Sequence, residues 1–367
     1  MLVIFATSSI DRVHKLLRSV LCQLVAYVGS RPLAPLMLEA LEIQEPYYGA
    51  LGTGLGAVHE GKITVLKASG NVAKVKKKIG EIAKLEGSAG LGHSRYSSLA
   101  REDPRMNTDK MVHPFTSDDQ KLALMHNGII NNFQEHWDKL KTKHTFTSYE
   151  PDVDYIVDSE VAVHMLSEYL ADGKEVGEAL KLIAQQIQGF FLFGVINADD
   201  PETVWIANWY QPCVVGIGDS ETIFVSNQIG LSSIREELGK VYEPPKNSLL
   251  KLTPGKVETS ILDPKRKVPQ LNLNKEVLKS EILDIVSKGD VDIENLRNAL
   301  FWSGFHSAYG VTKQEWRQLR RDGVDIVNPF FNVLDELIIE GKIRRYVNRR
   351  IEGQNKKTPR FVYSFIS

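Results

Sequence analysis

Apolar positions in this chain alternate between two spacings, and the switches outline its elements. Residues 22–30 form an apolar, β-prone run with Tyr27, Val25 and Val28, as a buried strand does. In 32–45, Leu33, Leu36, Met37, Ala40 and Leu41 fall at helical spacing behind Pro32. Residues 49–58 are glycine-rich and then strand-like, 62–67 alternate, and 72–85 read as a Lys-rich amphipathic helix. Residues 90–96 are a strand end running into a loop. Residues 121–126 predict a strand, with Asn127-Gly128 as its turn. Helices are expected at 133–140, 158–171 and 175–188, with a polar loop at 143–153. Strands follow at 189–196, 203–207, 213–217, 222–226 and 248–252. Strands at both ends with helices between them predict an α+β fold of two packed sheets flanked by helices.

The pattern changes near residue 263. Asp263-Pro264-Lys265-Arg266-Lys267-Val268-Pro269 opens an expected linker over 263–274. Beyond it come helices at 275–288, 293–303 and 330–340, then strands at 342–348 and 360–365. Helices followed by a basic hairpin predict a small winged-helix-like α/β domain over 275–367. Its basic residues include Arg344, Arg345, Arg349, Arg350, Lys356 and Lys357. Such charges suit a phosphate backbone, an acidic protein partner or simply a solvated edge.

Composition narrows this little. The 367 residues are 43% hydrophobic and 25% charged, with a formal net charge of −1. That balance gives no global pull toward nucleic acid or membrane. Two cysteines cannot build a disulfide framework, so a reducing cytoplasm is expected. No apolar run reaches the roughly 18–20 residues that span a bilayer. Asp11, Arg12, His14 and Lys15 interrupt residues 1–21 before a secretory core develops.

Chemistry concentrates in three places. Cys22 stands at the start of the first strand, Arg95 in Gly92-His93-Ser94-Arg95-Tyr96-Ser97-Ser98, and Asn127 in Met125-His126-Asn127-Gly128-Ile129-Ile130-Asn131-Asn132. A thiol, a guanidinium and an Asn-Gly pair are the parts of an amide-hydrolysing site: nucleophile, carboxylate grip and oxyanion donors. Each has a plainer alternative. Cys22 could be a packed core thiol, Arg95 a surface ion pair, Asn127-Gly128 only a tight turn and Asp158 a helix N-cap. His93, His113 and His126 lie on different segments without a second ligand at helix spacing, so no metal is expected there. Cys213 reads as core.

The ordered motifs resemble class II glutamine amidotransferases, the group with an N-terminal nucleophile. Cys22 to Arg31 is similar to that family's Cys-led strand, and Gly92 to Ser98 to its arginine loop. Val112-His113-Pro114-Phe115 followed by Leu124 to Asn132 resembles its oxyanion segment. Val157-Asp158-Ser159-Glu160-Val161 resembles a helix start, and Gly189 to Gly218 a second-sheet meander. The resemblance covers roughly residues 22–260 and implies a glutaminase domain over 22–262. It implies a four-layer αββα sandwich of N-terminal-nucleophile hydrolase type. It also implies that Cys22 attacks the side-chain amide of L-glutamine and that its own α-amine is the base. Asn127 and the Gly128 N–H would hold the oxyanion. Arg95, Tyr96, Ser97, His113 and Asp158 would bind substrate, Arg95 at the α-carboxylate and Asp158 at the α-ammonium. No cofactor is implied.

Gln23 replaces the glycine usual beside the nucleophile, Leu99 replaces a second histidine of the synthase-type members, and Tyr149 to Asp154 looks inserted. Cys22 also needs a free α-amine. Residues 1–21 are therefore expected to be a propeptide or the product of a mis-assigned start. The latter is preferred, because residues 1–20 carry no resemblance and Leu21 sits where an initiator would. No acceptor domain is recognised after residue 262. The expected function is a glutaminase that supplies ammonia to a separate synthase subunit. The alternative is a glutamine-sensing or inactive regulator with a nucleic-acid-binding winged helix.

Overall fold

In chain order, β1 (Gln23–Gly29) leads into α1 (Leu33–Gln44), strands β2 (Gly52–His59) and β3 (Lys62–Ser69), and α2 (Val72–Lys78). Strands β4 (Ala89–Arg95), β5 (Phe115–Thr116) and β6 (Leu122–Ile130) follow. Then come helices α3 (Phe133–Leu140), α4 (Asp158–Ala171) and α5 (Val176–Gln186). Next are β7 (Gly189–Asn197), β8 (Asp200–Trp209), β9 (Val214–Ile217) and β10 (Glu221–Val225). Strands β11 (Lys240–Tyr242), β12 (Ser248–Thr253) and β13 (Lys256–Ile261) complete this part. This computed structural model describes residues 22–269, 271–321, 327–348 and 359–366. The expectations for residues 1–21 and for Arg349, Arg350, Lys356 and Lys357 fall outside them.

Two antiparallel sheets form, in the orders β11-β9-β10-β1-β4-β2-β3 and β13-β12-β8-β7-β6-β5. The side-chain parity of β1 shows how they stack. Leu24, Ala26 and Val28 enter the apolar layer shared with Leu124, Phe193 and Ile206 of the second sheet. Val25 and Tyr27 point the other way, into a cluster with Leu33, Met37 and Leu41 of α1. Helix α1 covers the first sheet, and α4 and α5 cover the second, giving the layers α-β-β-α. Because β1 is buried on both faces, its residues look uniformly apolar in sequence.

Two expectations need correction, and one strand went unannounced. The helix expected over 72–85 stops at Lys78, and a 3₁₀ turn, Gly80–Lys84, follows the break at Ile79-Gly80. Asn127-Gly128 is not a turn: β6 runs through it, pairing Asn127 with Leu192 and Gly128 with Phe191. Gly128 has φ +141, and a Cβ there would lie 2.1 Å from the Phe190 carbonyl oxygen. Only glycine keeps that strand in register. Strand β13 gave no signal, because it is an edge strand exposed at most positions and carries no apolar alternation.

The remaining elements include α6 (Lys275–Val286), β14 (Val291–Asp292), α7 (Ile293–Ser303), α8 (Lys313–Arg321), α9 (Val327–Ile339), β15 (Ile343–Asn348) and β16 (Arg360–Phe365), with a single helical turn, Phe305–Ala308, between α7 and α8. The three strands pair in the order β14-β16-β15. Leu278, Ile282, Leu296, Leu300, Phe330, Leu334 and Tyr363 pack between the helices and this sheet. The segment expected as a linker is pinned rather than free. Arg266 donates from Nη2 to the Ala184 and Ile187 carbonyls at 2.6 and 2.7 Å, and its guanidinium lies over Trp209 and Phe191. The C-terminal elements also dock on the sandwich. Phe331 and Phe361 pack on Tyr47, and the Phe361 N–H donates to the Pro46 carbonyl at 2.9 Å. Among the described residues no helix is long and apolar enough to cross a membrane.

Candidate active site

Cys22 stands one step before β1, next to the Gln23–Ser94 pair that joins β1 to β4. That register sets it beside Arg95 and Tyr96, and it belongs to the layer between the sheets. The Tyr96 N–H donates to Sγ at 3.4 Å, and the thiol donates to the Tyr96 carbonyl at 3.5 Å. Burial pushes the thiol up to about 11, against the lowering effects of the Tyr96 amide and of Arg95. A thiol so protonated needs a base to act as a nucleophile near neutral pH.

Strand β6 brings the second group from the other sheet. The Cys22 N–H donates to Asn127 Oδ1 at 3.1 Å. This fixes the amide's orientation and leaves Asn127 Nδ2 buried without a hydrogen-bond partner. A buried donor left open is costly unless something fills it. It is suited to an oxygen that becomes negative during reaction.

Arg95 is buried at the end of β4, and its Nη1 donates to the Met106 carbonyl at 3.1 Å and to Asn107 Oδ1 at 3.0 Å. Those bonds fix the plane of the guanidinium. Asp158 is the first residue of α4; the N-cap is Val157, so the capping alternative fails. Its Oδ2 instead accepts from the Ile130 N–H at 2.8 Å at the end of β6, and its Oδ1 accepts from the Ser159 hydroxyl at 3.1 Å. Burial raises the Asp158 carboxyl, but His126 and these hydrogen bonds outweigh it and hold it below its ordinary value. It is therefore an anion, near enough to oppose ionisation of the thiol.

Cys22, Arg95, Tyr96, Asn127, Gly128 and Asp158 thus gather where β1, β4, β6 and the start of α4 meet. Ser97 is at the rim, its hydroxyl accepting from the Ala100 N–H at 3.2 Å as the cap of a short helical turn. His113 packs against His93, with ring centroids 4.1 Å apart and planes tilted by 32°. Burial lowers both imidazoles, His93 to about 3 and His113 well below its ordinary value, so both are neutral.

Sequence reasoning missed the groups around Tyr96. Its hydroxyl donates to Glu294 Oε1 at 3.2 Å and accepts from Arg101 Nη1 at 3.0 Å, while Arg101 pairs with Glu294 at 3.0 Å. Glu294 belongs to α7, 198 positions from Tyr96, and no local spacing announces that contact. Of the six hairpin residues named above, the structure describes Arg344 and Arg345. Arg345 donates to the Tyr47 hydroxyl at 2.6 Å and to Asp335 Oδ1 at 2.8 Å, and its guanidinium lies over Phe361. It is turned into the docking contact and is not presented to a phosphate. Arg344 is exposed.

The chain is similar to known proteins in sequence and in fold. A sequence profile described as a glutamine amidotransferase domain matches residues 100–228. A glutamine–fructose-6-phosphate aminotransferase (isomerizing) from Pyrococcus horikoshii is 31% identical over 208 residues, covering 56% of this chain and 32% of that protein. Its Mycobacterium leprae counterpart is 32% identical over 220 residues, covering 57% and 33%. This chain therefore spans about a third of the length of these relatives. A solved glutamine phosphoribosylpyrophosphate amidotransferase from B. subtilis superposes with a TM-score of 0.57 at 16% identity, over 79% of this chain and 64% of that one, a likeness of fold.

Proposed function

This chain carries a class II glutamine amidotransferase domain, and from that premise we propose that it hydrolyses glutamine to glutamate and ammonia through a Cys22 thioester. The observation that carries the proposal is the pairing of Cys22 with Asn127: one end of the amide is anchored at the nucleophile's own nitrogen and the other is left as an open donor. The buried, protonated thiol explains why a base at that nitrogen is needed.

The free α-amine of Cys22 takes the thiol proton as Sγ attacks the amide carbon of the glutamine side chain. Asn127 Nδ2 and the Gly128 N–H stabilise the resulting oxyanion. The ammonium returns its proton to the departing nitrogen, the C–N bond breaks, and ammonia leaves a γ-glutamyl thioester. The amine then takes a proton from water, hydroxide adds to the thioester carbon, and glutamate departs as the thiol is re-protonated. Arg95 grips the substrate α-carboxylate and Asp158 the α-ammonium, each charge meeting its opposite. Tyr96, Ser97 and His113 line the substrate side.

The active species on this reading begins at Cys22, because a peptide N–H cannot accept a proton. Residues 22–262 form the glutaminase domain, and residues 275–367 form a winged-helix-like domain that contacts an ammonia-accepting synthase. The nucleic-acid alternative is disfavoured, since Arg345 is spent on Tyr47 and Asp335. The test is glutamate release by protein that begins at Cys22, compared with the 367-residue chain. Activity is expected only in the former and is lost in Cys22→Ala. Full activity with Met1 still attached, or in the alanine variant, overturns the proposal.

A further inference from the structure

Away from the thiol, on the outer side of the second sheet, three elements bring Asp118, His144 and His164 together. Asp118 lies in the turn between β5 and β6, His144 in the loop after α3, and His164 on α4. One ligand atom from each lies within 4.8 Å of the others. We propose that this cluster is a Zn²⁺ site that clamps the 143–149 loop and the β5–β6 turn onto α4.

Three observations support it. The first is His164. It is 1% exposed, and neither ring nitrogen closes a hydrogen bond of acceptable geometry, although the Thr145 main chain is near. A buried imidazole with two unsatisfied nitrogens is rare without a reason. The second is the ring arrangement: His144 stacks on His164 with centroids 4.6 Å apart and planes tilted by 32°. The third is the support around His144. Its Nδ1 faces Asp118 Oδ2 at 2.7 Å, and its Nε2 faces Glu168 Oε1 at 3.2 Å. With Nδ1 on a metal, the Nε2–H donates to Glu168, the outer carboxylate that orients a ligating histidine. Asp118 Oδ1 already accepts from the Thr145 N–H at 3.1 Å, which leaves Oδ2 to ligate.

Two imidazoles and one carboxylate, with the fourth position left to water, suit Zn²⁺. Bonds of about 2.0–2.1 Å would draw the ligand atoms together, to about 3.3 Å apart in a tetrahedral site. Asp118, whose side chain is 42% exposed, is free to make that adjustment. Binding displaces the proton shared by Asp118 and His144. The site differs from the His93, His113 and His126 group, whose rings lie in the interior. It would also steady α4, whose first residue is Asp158.

The test uses the full chain, stripped with chelator and titrated with Zn²⁺ alone. It is carried out in wild type and in a Cys22→Ser background, so that the thiol cannot supply the signal. One Zn²⁺ per chain is expected in both, with a higher midpoint of thermal unfolding. Asp118→Asn and His144→Asn should each weaken binding at least tenfold, and His164→Phe, which keeps a ring in the stack, should abolish it. Glu168→Gln should weaken it by about 10–100-fold. No binding at micromolar Zn²⁺, or equal binding in wild type and Asp118→Asn, overturns the proposal. Asp118→Asn decides alone if His164→Phe does not fold, because an exposed carboxylate can be neutralised without disturbing the core.

Discussion

The Asn127 amide is the residue on which the chemistry turns, because its two ends have different tasks. Oδ1 is held by the Cys22 N–H, and Nδ2 waits for an oxyanion. In protein beginning at Cys22, Asn127→Ala is expected to lower kcat about 10²–10³-fold with a smaller change in KM. Equal losses in Asn127→Ala and a remote surface variant, measured as glutamate release, would contradict that role. Arg95→Lys should mainly raise KM, since an ammonium cannot reproduce a planar two-point grip. A change confined to kcat would remove Arg95 from the carboxylate. The thiol offers a test by pH. Burial places Cys22 at about 11, so the thiolate fraction of the 367-residue chain rises about tenfold per pH unit between 7 and 10. Alkylation of Cys22, followed by mass spectrometry, should climb accordingly. A plateau near pH 8 counts against the buried thiol.

At the scale of elements, β6 is where the site and the fold constrain each other most closely. The strand must carry Asn127 toward Cys22 and still pair with β7 through Gly128. Gly128→Ala is expected to cost about 1–3 kcal/mol in backbone strain alone, with more from the collision with the Phe190 carbonyl. A lower denaturation midpoint should accompany the loss of glutaminase activity. An alanine variant as stable as wild type would mean that the strand has room it does not show. Helix α4 couples site to scaffold in another way. Asp158 at its first position holds the end of β6. Glu160, buried in the first turn of the same helix, accepts from the Thr147 and Ser148 N–H groups at 2.8 Å each.

Where the sandwich meets the C-terminal elements, a polar seam runs beside the apolar contacts of Tyr47 with Phe331 and Phe361. Glu45 lies in it, 2% exposed, with one oxygen accepting both from the Val72 N–H and from the Ser94 hydroxyl. Burial raises this carboxyl to about 7. The folded state then holds a proton that the unfolded chain releases between its ordinary value of 4.5 and 7. The stability contributed by Glu45 is therefore fully present below 4.5 and is lost as pH rises through 7. Glu45→Gln keeps the accepting oxygen and cannot ionise. It should unfold at a higher temperature than wild type at pH 8, with the gap closing by pH 5. A gap that widens toward acid has the wrong sign for this account. Arg345, paired with Tyr47 and Asp335, closes the same seam. Arg345→Ala is expected to speed limited proteolysis after residue 269, and unchanged cleavage would argue for docking through the apolar contacts alone.

Sequence by itself determined the local parts. The spacing of Leu33, Leu36, Met37 and Leu41 specifies α1, the apolar runs specify β1 and β7, and the ordered Cys22, Arg95 and Asn127 motifs specify which chemistry to look for. These are properties of neighbouring residues, set by the 3.6 and 2.0 periods of helix and strand. Tertiary structure alone decided three other matters. It turned the expected Asn127-Gly128 turn into continuous strand, because pairing with β7 outweighs the local preference for a turn. It pinned the expected linker, because Arg266 found the Ala184 and Ile187 carbonyls at the end of α5 and the aromatic faces of Phe191 and Trp209. It also drew Glu294 to Tyr96 and turned Arg345 inward. Those partners are far apart in the chain, and a contact of that kind leaves no period in the sequence.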